Sequence, residues 1–325
     1  MNNDQFIVIT GAAGLIGSCC VRYLNDLGFT KLILVDDIKK TNKWKNLLNK
    51  KYVAFISKYQ LFDWLKGREK EIEAFIHLGA CSDTLEQNEE YLMQNNLHYS
   101  IRLAEYALRA EHRFIYASSA ATYGDGSQGF IDDHARLEYL KPLNSYGFSK
   151  YAFDLWLKKQ GVLDQVVGLK YFNVFGPNEN HKGRMASMIY KMTLLVQKEK
   201  LIRLFASSDP DQFADGEQSR DFIYVKDACE MTCEFLKNSI GGIFNIGSGA
   251  TTTWRSLALA IFKTLKTPLN ITFIKMPKEL AIQYQNYTCA DMAKYIKNVN
   301  QPKLYSIEDA VEDYVQNYLI VDKRW

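Results

Sequence analysis

The sequence predicts an α/β protein with a Rossmann-type, doubly wound parallel sheet and a smaller interleaved α/β lobe. Short β-branched runs alternate with amphipathic helical stretches through the first half, which is typical of parallel strands joined by crossover helices. A glycine-rich turn links the first strand to the first helix. In the second half polar segments interrupt the alternation, which indicates that parts of the chain rejoin the sheet and parts form the lobe.

The composition excludes several classes of partner. Of the 325 residues, 47% are hydrophobic and 24% charged, which is ordinary for a globular protein. The net charge of +3 gives no reason to expect a nucleic acid or a membrane surface as partner. No apolar run approaches the ~18–20 residues that span a bilayer, and the polar start does not resemble a signal peptide. We therefore expect a cytoplasmic protein.

The six cysteines show neither metal-ligand spacing nor the density of a disulfide scaffold. Cys229 and Cys233 are four residues apart in a helical stretch, where two buried thiols are the simpler interpretation. We expect no metal site.

The first strand and the turn after it predict a dinucleotide site. Phe6–Thr10 is a short apolar run, and a helix continues to about Leu27. The turn between them lets the backbone approach a pyrophosphate at a helix N-terminus. Its spacing is Gly-x-x-Gly-x-x-Gly rather than Gly-x-Gly-x-x-Gly, but its place between a strand and a helix supports the prediction. The expected cofactor contacts here are Gly11, Gly14, Leu15, Ile16 and Gly17.

The second strand, Lys31–Asp36, carries conflicting signals about the cofactor. Asp36 lies about 20 residues past the glycines, where a carboxylate can accept the adenosine ribose hydroxyls and favours NAD. Lys39, Lys40 and Lys43 follow closely and could neutralise a 2′-phosphate, which favours NADP.

Further strands are predicted at Tyr52–Ile56, Ala74–Leu78 and Arg113–Ala117, with a helix over Tyr91–Ala110 before the last of them. The small residues that follow the fourth strand offer another loop at the carboxyl edge of the sheet, where cofactors lie in such folds.

A set of proton-handling residues follows the fifth strand. Ser118 and Ser119 leave the end of that strand, and Tyr146 and Lys150 lie one helical turn apart. We expect Ser119 to hold a substrate oxygen and Tyr146 to move its proton. Lys150 would lower the pKa of Tyr146 and hold the nicotinamide ribose.

The second half contains both sheet and lobe elements. The predicted elements are a strand at Val166–Tyr171, a helix at 185–197, a loop at Ser207–Ser219, a strand at Arg220–Val225 with a helix to about Lys237, and a strand at Ile243–Ile246. We assign residues 1–175 and about 221–248 to the dinucleotide-binding domain. The substrate-binding lobe comprises about 176–220 and 249–325.

Together these residues resemble the extended short-chain dehydrogenase/reductase family, of the NAD-dependent epimerase/dehydratase superfamily. Five segments narrow the resemblance to ADP-L-glycero-D-manno-heptose 6-epimerases: SSAATYG (118–124), PLNSYGFSK (142–150), YFNVFGP (171–177), HKGRMAS (181–187) and RDFIYV (220–225). The likeness covers essentially the whole chain, and HKGRMAS is its most specific part.

The resemblance implies roles for further residues. It makes Lys182 a second catalytic lysine beside Tyr146 and Lys150, and it favours NADP over NAD. Lys191 stands where some members have His. The implied substrate contacts are Ser119, Asn173, Arg184, Lys191, Phe205, Arg220 and Tyr284. The implied cofactor contacts are Asp36, Asp37, Lys43, Lys58, Leu78, Gly79, Ala80, Cys81, Ser82, Asn95 (or Asn96), Lys150, Val174 and Lys182.

The implied reaction inverts C6 of the heptose of ADP-D-glycero-D-manno-heptose, supplying heptose for the lipopolysaccharide core. An NADP-dependent oxidation to a 6-ketone would be followed by reduction on the opposite face. Rotation of the ketone would require two acid/base groups, Tyr146 and Lys182. The resemblance also implies a homo-oligomer.

Two other interpretations remain. Another nucleotide-sugar epimerase or dehydratase would keep the same triad, although dehydratases usually carry Asp-Glu where Tyr123 and Gly124 follow Thr122. A non-enzymatic redox sensor would have lost the proton-handling residues, which are present.

Overall fold

A seven-stranded parallel sheet organises the protein, as the computed structural model shows for residues 4–38, 41–277 and 285–325. Its strand order is β3-β2-β1-β4-β5-β6-β11. The order reverses between β1 and β4, and in such sheets ligands bind beyond the carboxyl ends of the strands at this switch point. The sheet strands are β1 (Phe6–Thr10), β2 (Leu32–Asp36), β3 (Ala54–Ser57), β4 (Ile72–His77), β5 (Arg113–Ser119), β6 (Val166–Tyr171) and β11 (Gly242–Ile246).

Helices cover the sheet. α1 packs against α7, and α4 packs against α5. Because right-handed crossovers leave β1 in opposite directions, these two pairs cover opposite faces. The helices are α1 (Leu15–Asp26), α2 (Leu61–Trp64), α3 (Glu89–Leu92), α4 (Tyr99–Arg109), α5 (Ser145–Gln160), α6 (Met188–Glu199), α7 (Val225–Glu234) and α8 (Trp254–Thr264), followed by Ala293–Asn298 and Ile307–Tyr314.

The predicted fold class and the six predicted strands of the first half and centre are confirmed. β1 and β6 match their predicted bounds, and the ends of the other four strands differ by at most two residues. The predicted helix Tyr91–Ala110 is also present, but it includes a π-helical stretch over Met93–His98 between α3 and α4. Such stretches often occur at functional sites. Here the stretch carries Asn95 and Asn96.

Three small strand pairs lie outside the main sheet: parallel β7–β10 and β8–β13, and antiparallel β9–β12. These strands are β7 (Asn173–Phe175), β8 (Ile202–Phe205), β9 (Ser219–Arg220), β10 (Phe222–Tyr224), β12 (Thr252–Thr253) and β13 (Ile271–Ile274). The predicted strand Arg220–Val225 is present as two short strands, β9 and β10, which flank Asp221 and pair with different partners, β12 and β7. The buried carboxylate of Asp221 accepts the N–H groups of Ser248 and Ala290, which fixes the chain at the point where the partner changes.

Among the described residues, no helix is both long and apolar enough to cross a membrane.

Candidate active site

A cleft of about 560 Å³ opens at the carboxyl edge of the main sheet, next to the switch point. It brings together most of the residues that the sequence predicted. The predicted residues that line it are Gly11, Gly14, Leu15, Ile16, Gly17, Asp36, Lys43, Leu78, Gly79, Ala80, Ser82, Ser119, Tyr146, Lys150, Asn173, Val174 and Lys182.

The glycine turn is shaped for close approach. Gly11 has a φ of +67°, and a Cβ there would lie 2.7 Å from the Gly79 nitrogen. A Cβ on Gly17 would lie 2.2 Å from the Gly11 carbonyl oxygen. Any side chain at these positions would push the turn away from β4 or from α1. Gly14 begins α1 without a side-chain cap, so the first N–H groups of the helix remain available to an anion. The turn therefore fits the pyrophosphate of a dinucleotide.

The carboxylate of Asp36, at the end of β2, is already held by the protein. Its Oδ2 accepts the Ala13 N–H at 2.8 Å. Its Oδ1 accepts the Asp37 N–H at 2.6 Å and the Lys43 ammonium at 2.7 Å. The negative charge that would repel a 2′-phosphate is thus paired with a cation at the edge of the cleft.

A smaller pocket of about 140 Å³ adjoins this edge. Lys58 donates to Asn95 Oδ1 at 2.8 Å, and Asp37 also lines the pocket. Tyr91 and Tyr99, which sequence analysis did not single out, also line the pocket. The pocket offers a polar rim and two aromatic rings, which suits a nucleoside.

The structure separates Asn95 from Asn96. Asn95 lines the small pocket, whereas Asn96 is fully buried and accepts the Cys81 N–H at 2.8 Å. Asn96 also donates to the Cys81 carbonyl at 2.9 Å, so it fixes the loop after β4. Cys81 itself is half-buried and is not among the cleft-lining residues, and burial raises the pKa of its thiol.

The start of α5 places Tyr146 and Lys150. Asn144 caps the helix by accepting the Gly147 N–H at 2.8 Å. A Cβ on Gly147 would lie 2.8 Å from the Ala121 carbonyl oxygen, so glycine lets α5 approach the end of β5. Tyr146 and Lys150 then face the cleft one turn apart.

The charges of this set differ from the prediction. Tyr146 is hydrogen-bonded to Ser119, but burial raises the pKa of Tyr146 above its usual value and outweighs that bond. The Lys150 ammonium donates to the Ala117 carbonyl oxygen at 2.9 Å. Burial lowers the pKa of Lys150 to about 8, against the opposing influence of Asp154. Near neutral pH the pair is a phenol beside an ammonium.

Lys182 enters the cleft from a short turn over Asn180–Met185, in which Gly183 has a φ of +53°. Glu179 anchors this turn: its buried carboxylate accepts the Ser187 N–H at 2.6 Å and the Tyr314 hydroxyl at 2.9 Å. Burial lowers the pKa of Lys182, as an acid/base role requires.

The Lys191 ammonium adds to this lowering of the Lys182 pKa. Lys191 donates to the Arg184 carbonyl at 2.6 Å, and Arg184 is an exposed side chain that pairs with Asp83 at 2.6 Å. Neither Arg184 nor Lys191 is among the cleft-lining residues.

Arg220 is buried, with its guanidinium 5.7 Å from the centre of the Trp254 ring. Trp254 lines the cleft, whereas Arg220 and the half-buried Phe205 are not among the lining residues. Tyr284 lies outside the described residues, as do Lys39 and Lys40.

His181 and Trp254 are among the cleft-lining residues to which sequence reasoning assigned no role. His181 lies in the HKGRMAS segment, so a signal for it existed. Its Nδ1 is 3.1 Å from the Asn178 carbonyl oxygen, and burial lowers its pKa to about 4, so the ring is neutral. Trp254 begins α8, far along the chain, and had no local signal.

Comparison with known proteins agrees with this geometry. The profile of the NAD dependent epimerase/dehydratase family matches residues 7–247. The ADP-L-glycero-D-manno-heptose-6-epimerase of Nitratidesulfovibrio vulgaris (strain DP4) is 45% identical over 316 residues, covering 96% of this chain and 97% of the relative. The protein of that name from Fusobacterium nucleatum is 41% identical, with coverages of 96% and 98%.

A solved structure is also similar along its length. The ADP-L-glycero-D-manno-heptose-6-epimerase of Helicobacter pylori superposes with a TM-score of 0.81 at 28% identity, covering 97% of this chain and 96% of that one. The chain therefore belongs to the NAD dependent epimerase/dehydratase family and, within it, to the ADP-L-glycero-D-manno-heptose-6-epimerases.

Proposed function

We propose that this chain converts ADP-D-glycero-D-manno-heptose into ADP-L-glycero-D-manno-heptose by inverting C6 through a transient 6-ketone, with NADP as cofactor. One observation carries the proposal: Tyr146 and Lys182 reach the same cleft from separate elements, and the glycine turn lines that cleft too. The C6 hydrogen has no neighbouring carbonyl and cannot be removed as a proton. A hydride route with two proton-handling groups meets this requirement.

The cleft fits the cofactor. The glycine turn accommodates a pyrophosphate, and Lys43 balances Asp36 where a 2′-phosphate would lie. Asp37, Lys58 and Asn95 surround the small pocket that would take the adenosine. The chemistry that a bound nicotinamide would supply is reversible hydride transfer with the alcohol carbon.

The chain's own residues manage protons and orientation. Tyr146 is a neutral phenol near pH 7, so it can donate a proton to the ketone oxygen, with Ser119 holding that oxygen beside it. Lys182 has a lowered pKa, so it can exist as a neutral amine and accept the alcohol proton when the other epimer binds. Lys150 would hold the nicotinamide ribose.

The remaining assignments follow from position. Residues 1–175 and about 221–248 would bind the cofactor, and about 176–220 with 249–325 would bind the sugar nucleotide. Asn173 offers an amide in the cleft, while Arg184, Lys191, Phe205, Arg220 and Tyr284 would contact substrate from the lobe. We further infer that the enzyme works as a cytoplasmic homo-oligomer and supplies heptose for lipopolysaccharide.

The test is turnover of ADP-D-glycero-D-manno-heptose by the purified protein, with the C6 configuration of the product determined by NMR. We expect a mixture of the two epimers from either starting epimer. UDP-glucose serves as the control for a 4-epimerase, the main alternative within the superfamily. Conversion of UDP-glucose but not of the ADP-heptose would overturn the proposal.

A further inference from the structure

Asp154 lies one helical turn after Lys150 on α5, and its side chain is fully buried. Its Oδ1 accepts the Tyr116 hydroxyl at 2.9 Å, and its Oδ2 accepts the Ser118 hydroxyl at 2.7 Å. Tyr116 and Ser118 are two residues apart on β5, so their side chains lie on the same face of the strand. One carboxylate thus joins α5 to the end of β5.

A buried lysine extends the connection towards Ser119. The Lys170 ammonium lies 3.1 Å from Asp154 Oδ2, with neither side chain exposed. Lys170 also donates to Thr122 Oγ1, and the Thr122 hydroxyl donates to the Ser119 carbonyl at 2.7 Å. The Asp154–Lys170 pair is therefore connected, through Thr122, to the backbone carbonyl of Ser119.

Stability alone gives a weak reason for this pair. A buried ion pair is often no more stabilising than apolar residues of the same volume. The place of the pair in the fold gives a stronger reason for its presence. Ala117, whose carbonyl accepts a hydrogen bond from the Lys150 ammonium, lies between Tyr116 and Ser118, and Ser119 follows. Asp154 thus contacts both residues that flank Ala117 on β5, and Lys170 connects it through Thr122 to the Ser119 carbonyl.

The charges around Lys150 also indicate a role for Asp154 in the proton-transfer set. The titratable groups that face Lys150 in the described chain are Asp154 and Tyr146 from α5, Cys81 from the loop after β4, and His77 of β4. Burial raises the pKa of Cys81 and of Tyr146 and lowers that of His77, so these three groups are neutral near pH 7. Asp154 is the carboxylate of this set.

We propose that Asp154, held by Lys170, is a positioning residue for the reaction: it fixes the end of β5 so that Ser119 meets Tyr146. Its carboxylate also lies one helical turn after Lys150 on α5 and favours the protonated ammonium there. This inference rests on the proposed function for its effect on turnover. Its effect on Lys150 is independent of the substrate, so the two can be tested separately.

The test compares Asp154→Asn with a matched variant. Asp313 also accepts a tyrosine hydroxyl, that of Tyr224 at 2.7 Å, and a lysine, Lys226 at 2.6 Å, but it is not among the cleft-lining residues. In protein labelled with [ε-¹³C]lysine, the Lys150 signal is assigned by Lys150→Arg and followed by NMR against pH. We expect Asp154→Asn to lower the pKa of Lys150 by about 1 pH unit or more, because a close opposite charge shifts a pKa on that scale. Asp313→Asn should leave it unchanged.

Kinetics give the second readout. We expect Asp154→Asn to lower kcat by roughly 10-fold or more while KM and cofactor content stay near wild type, because proton transfer and not binding is disturbed. An unchanged Lys150 titration in folded Asp154→Asn, or an equal shift in Asp313→Asn, overturns the proposal. Wild-type protein that does not turn over ADP-heptose defeats the proposed function but leaves the NMR result interpretable.

Milder variants keep the proposal testable if Asp154→Asn does not fold. Tyr116→Phe and Ser118→Ala each remove one hydrogen bond and keep the charge, so they should lower kcat without moving the Lys150 titration. Wild-type kcat in both variants would mean that the network does not position the set.

Discussion

The Lys43 ammonium lies 2.7 Å from Asp36 Oδ1, so the carboxylate at the end of β2 carries its own counter-charge. A free carboxylate at this position accepts the ribose hydroxyls of NAD and repels a 2′-phosphate. With Lys43 in place the repulsion is offset, and the lysine can also contact the phosphate directly.

Lys43→Ala should therefore change the cofactor preference. Removal of the ammonium leaves Asp36 unpaired at the rim of the cleft, so NADP affinity should fall by roughly 10-fold or more while NAD affinity changes less. Binding of the two cofactors can be compared by titration of each into the apoprotein. Lys45→Ala, on the same short turn but not among the cleft-lining residues, is the control. A wild-type protein that prefers NAD would contradict the NADP assignment.

Tyr146→Phe and Lys182→Met should each lower turnover by roughly 10²-fold or more, the usual scale of general acid–base catalysis. Each change removes the proton-carrying atom from one side of the cleft and leaves most of the packing. Circular dichroism and bound cofactor should stay at wild-type levels. The exposed Lys198→Met on α6 controls for loss of a positive charge. Near wild-type rates in both directions for Lys182→Met would mean that Tyr146 alone suffices.

The imidazole of His77 should make stability depend on pH. It lies 2.6 Å from Thr10 Oγ1 and 2.8 Å from Ser100 Oγ, and burial lowers its pKa to about 3. In the unfolded chain the same histidine binds a proton near pH ~6.5. The contribution of neutral, buried His77 to the free energy of unfolding is therefore complete above that pH and is lost as the pH falls towards 3. The slope for one proton is about 1.4 kcal/mol per pH unit.

Urea unfolding at a series of pH values measures this slope. His77→Gln should flatten it between pH ~6.5 and 3, because the variant has no proton to gain. His98→Gln changes an exposed histidine and should keep the wild-type slope. Identical slopes in wild type and His77→Gln would show that other groups account for the acid sensitivity.

The sheet and the glycine turn were predictable because their signals are local. β1, the turn and α1 are contiguous in sequence, and Tyr146 and Lys150 share one helix. The contribution of Trp254 was not predictable, since it depends on how α8 packs beside Arg220. The raised pKa of Tyr146 was not predictable either, because burial depends on the whole cleft and outweighs the local hydrogen bond.

The strand pair β8–β13 also escaped prediction. The two strands are separated by residues 206–270, and β13 has mainly exposed side chains, so it lacks the apolar pattern of a sheet strand. The contacts of Asp221 could not be predicted for the same reason. Its partners Ser248 and Ala290 come from distant loops, so sequence alone could not show that it divides a strand.

The hydrogen on C6 of the substrate should stay on carbon throughout the reaction. The glycine turn, Tyr146 and Lys150 line one cleft, so in the proposed reaction the nicotinamide would lie beside the reacting alcohol. A hydride that leaves and returns within that cleft never exchanges with water. Substrate with deuterium at C6 should give product that retains it, and ordinary substrate in D₂O should gain none, as read by NMR and mass spectrometry.

The accompanying absorbance at 340 nm distinguishes the remaining routes. Retention of the label without net build-up of reduced cofactor is expected for an epimerase, because each oxidation is followed by a reduction. Steady accumulation of reduced cofactor would instead indicate a net dehydrogenase. Entry of solvent deuterium at C6 would require a carbanion and would remove the reason for a dinucleotide site. A primary isotope effect is expected only where hydride transfer limits the rate, since ketone rotation or product release can be slower.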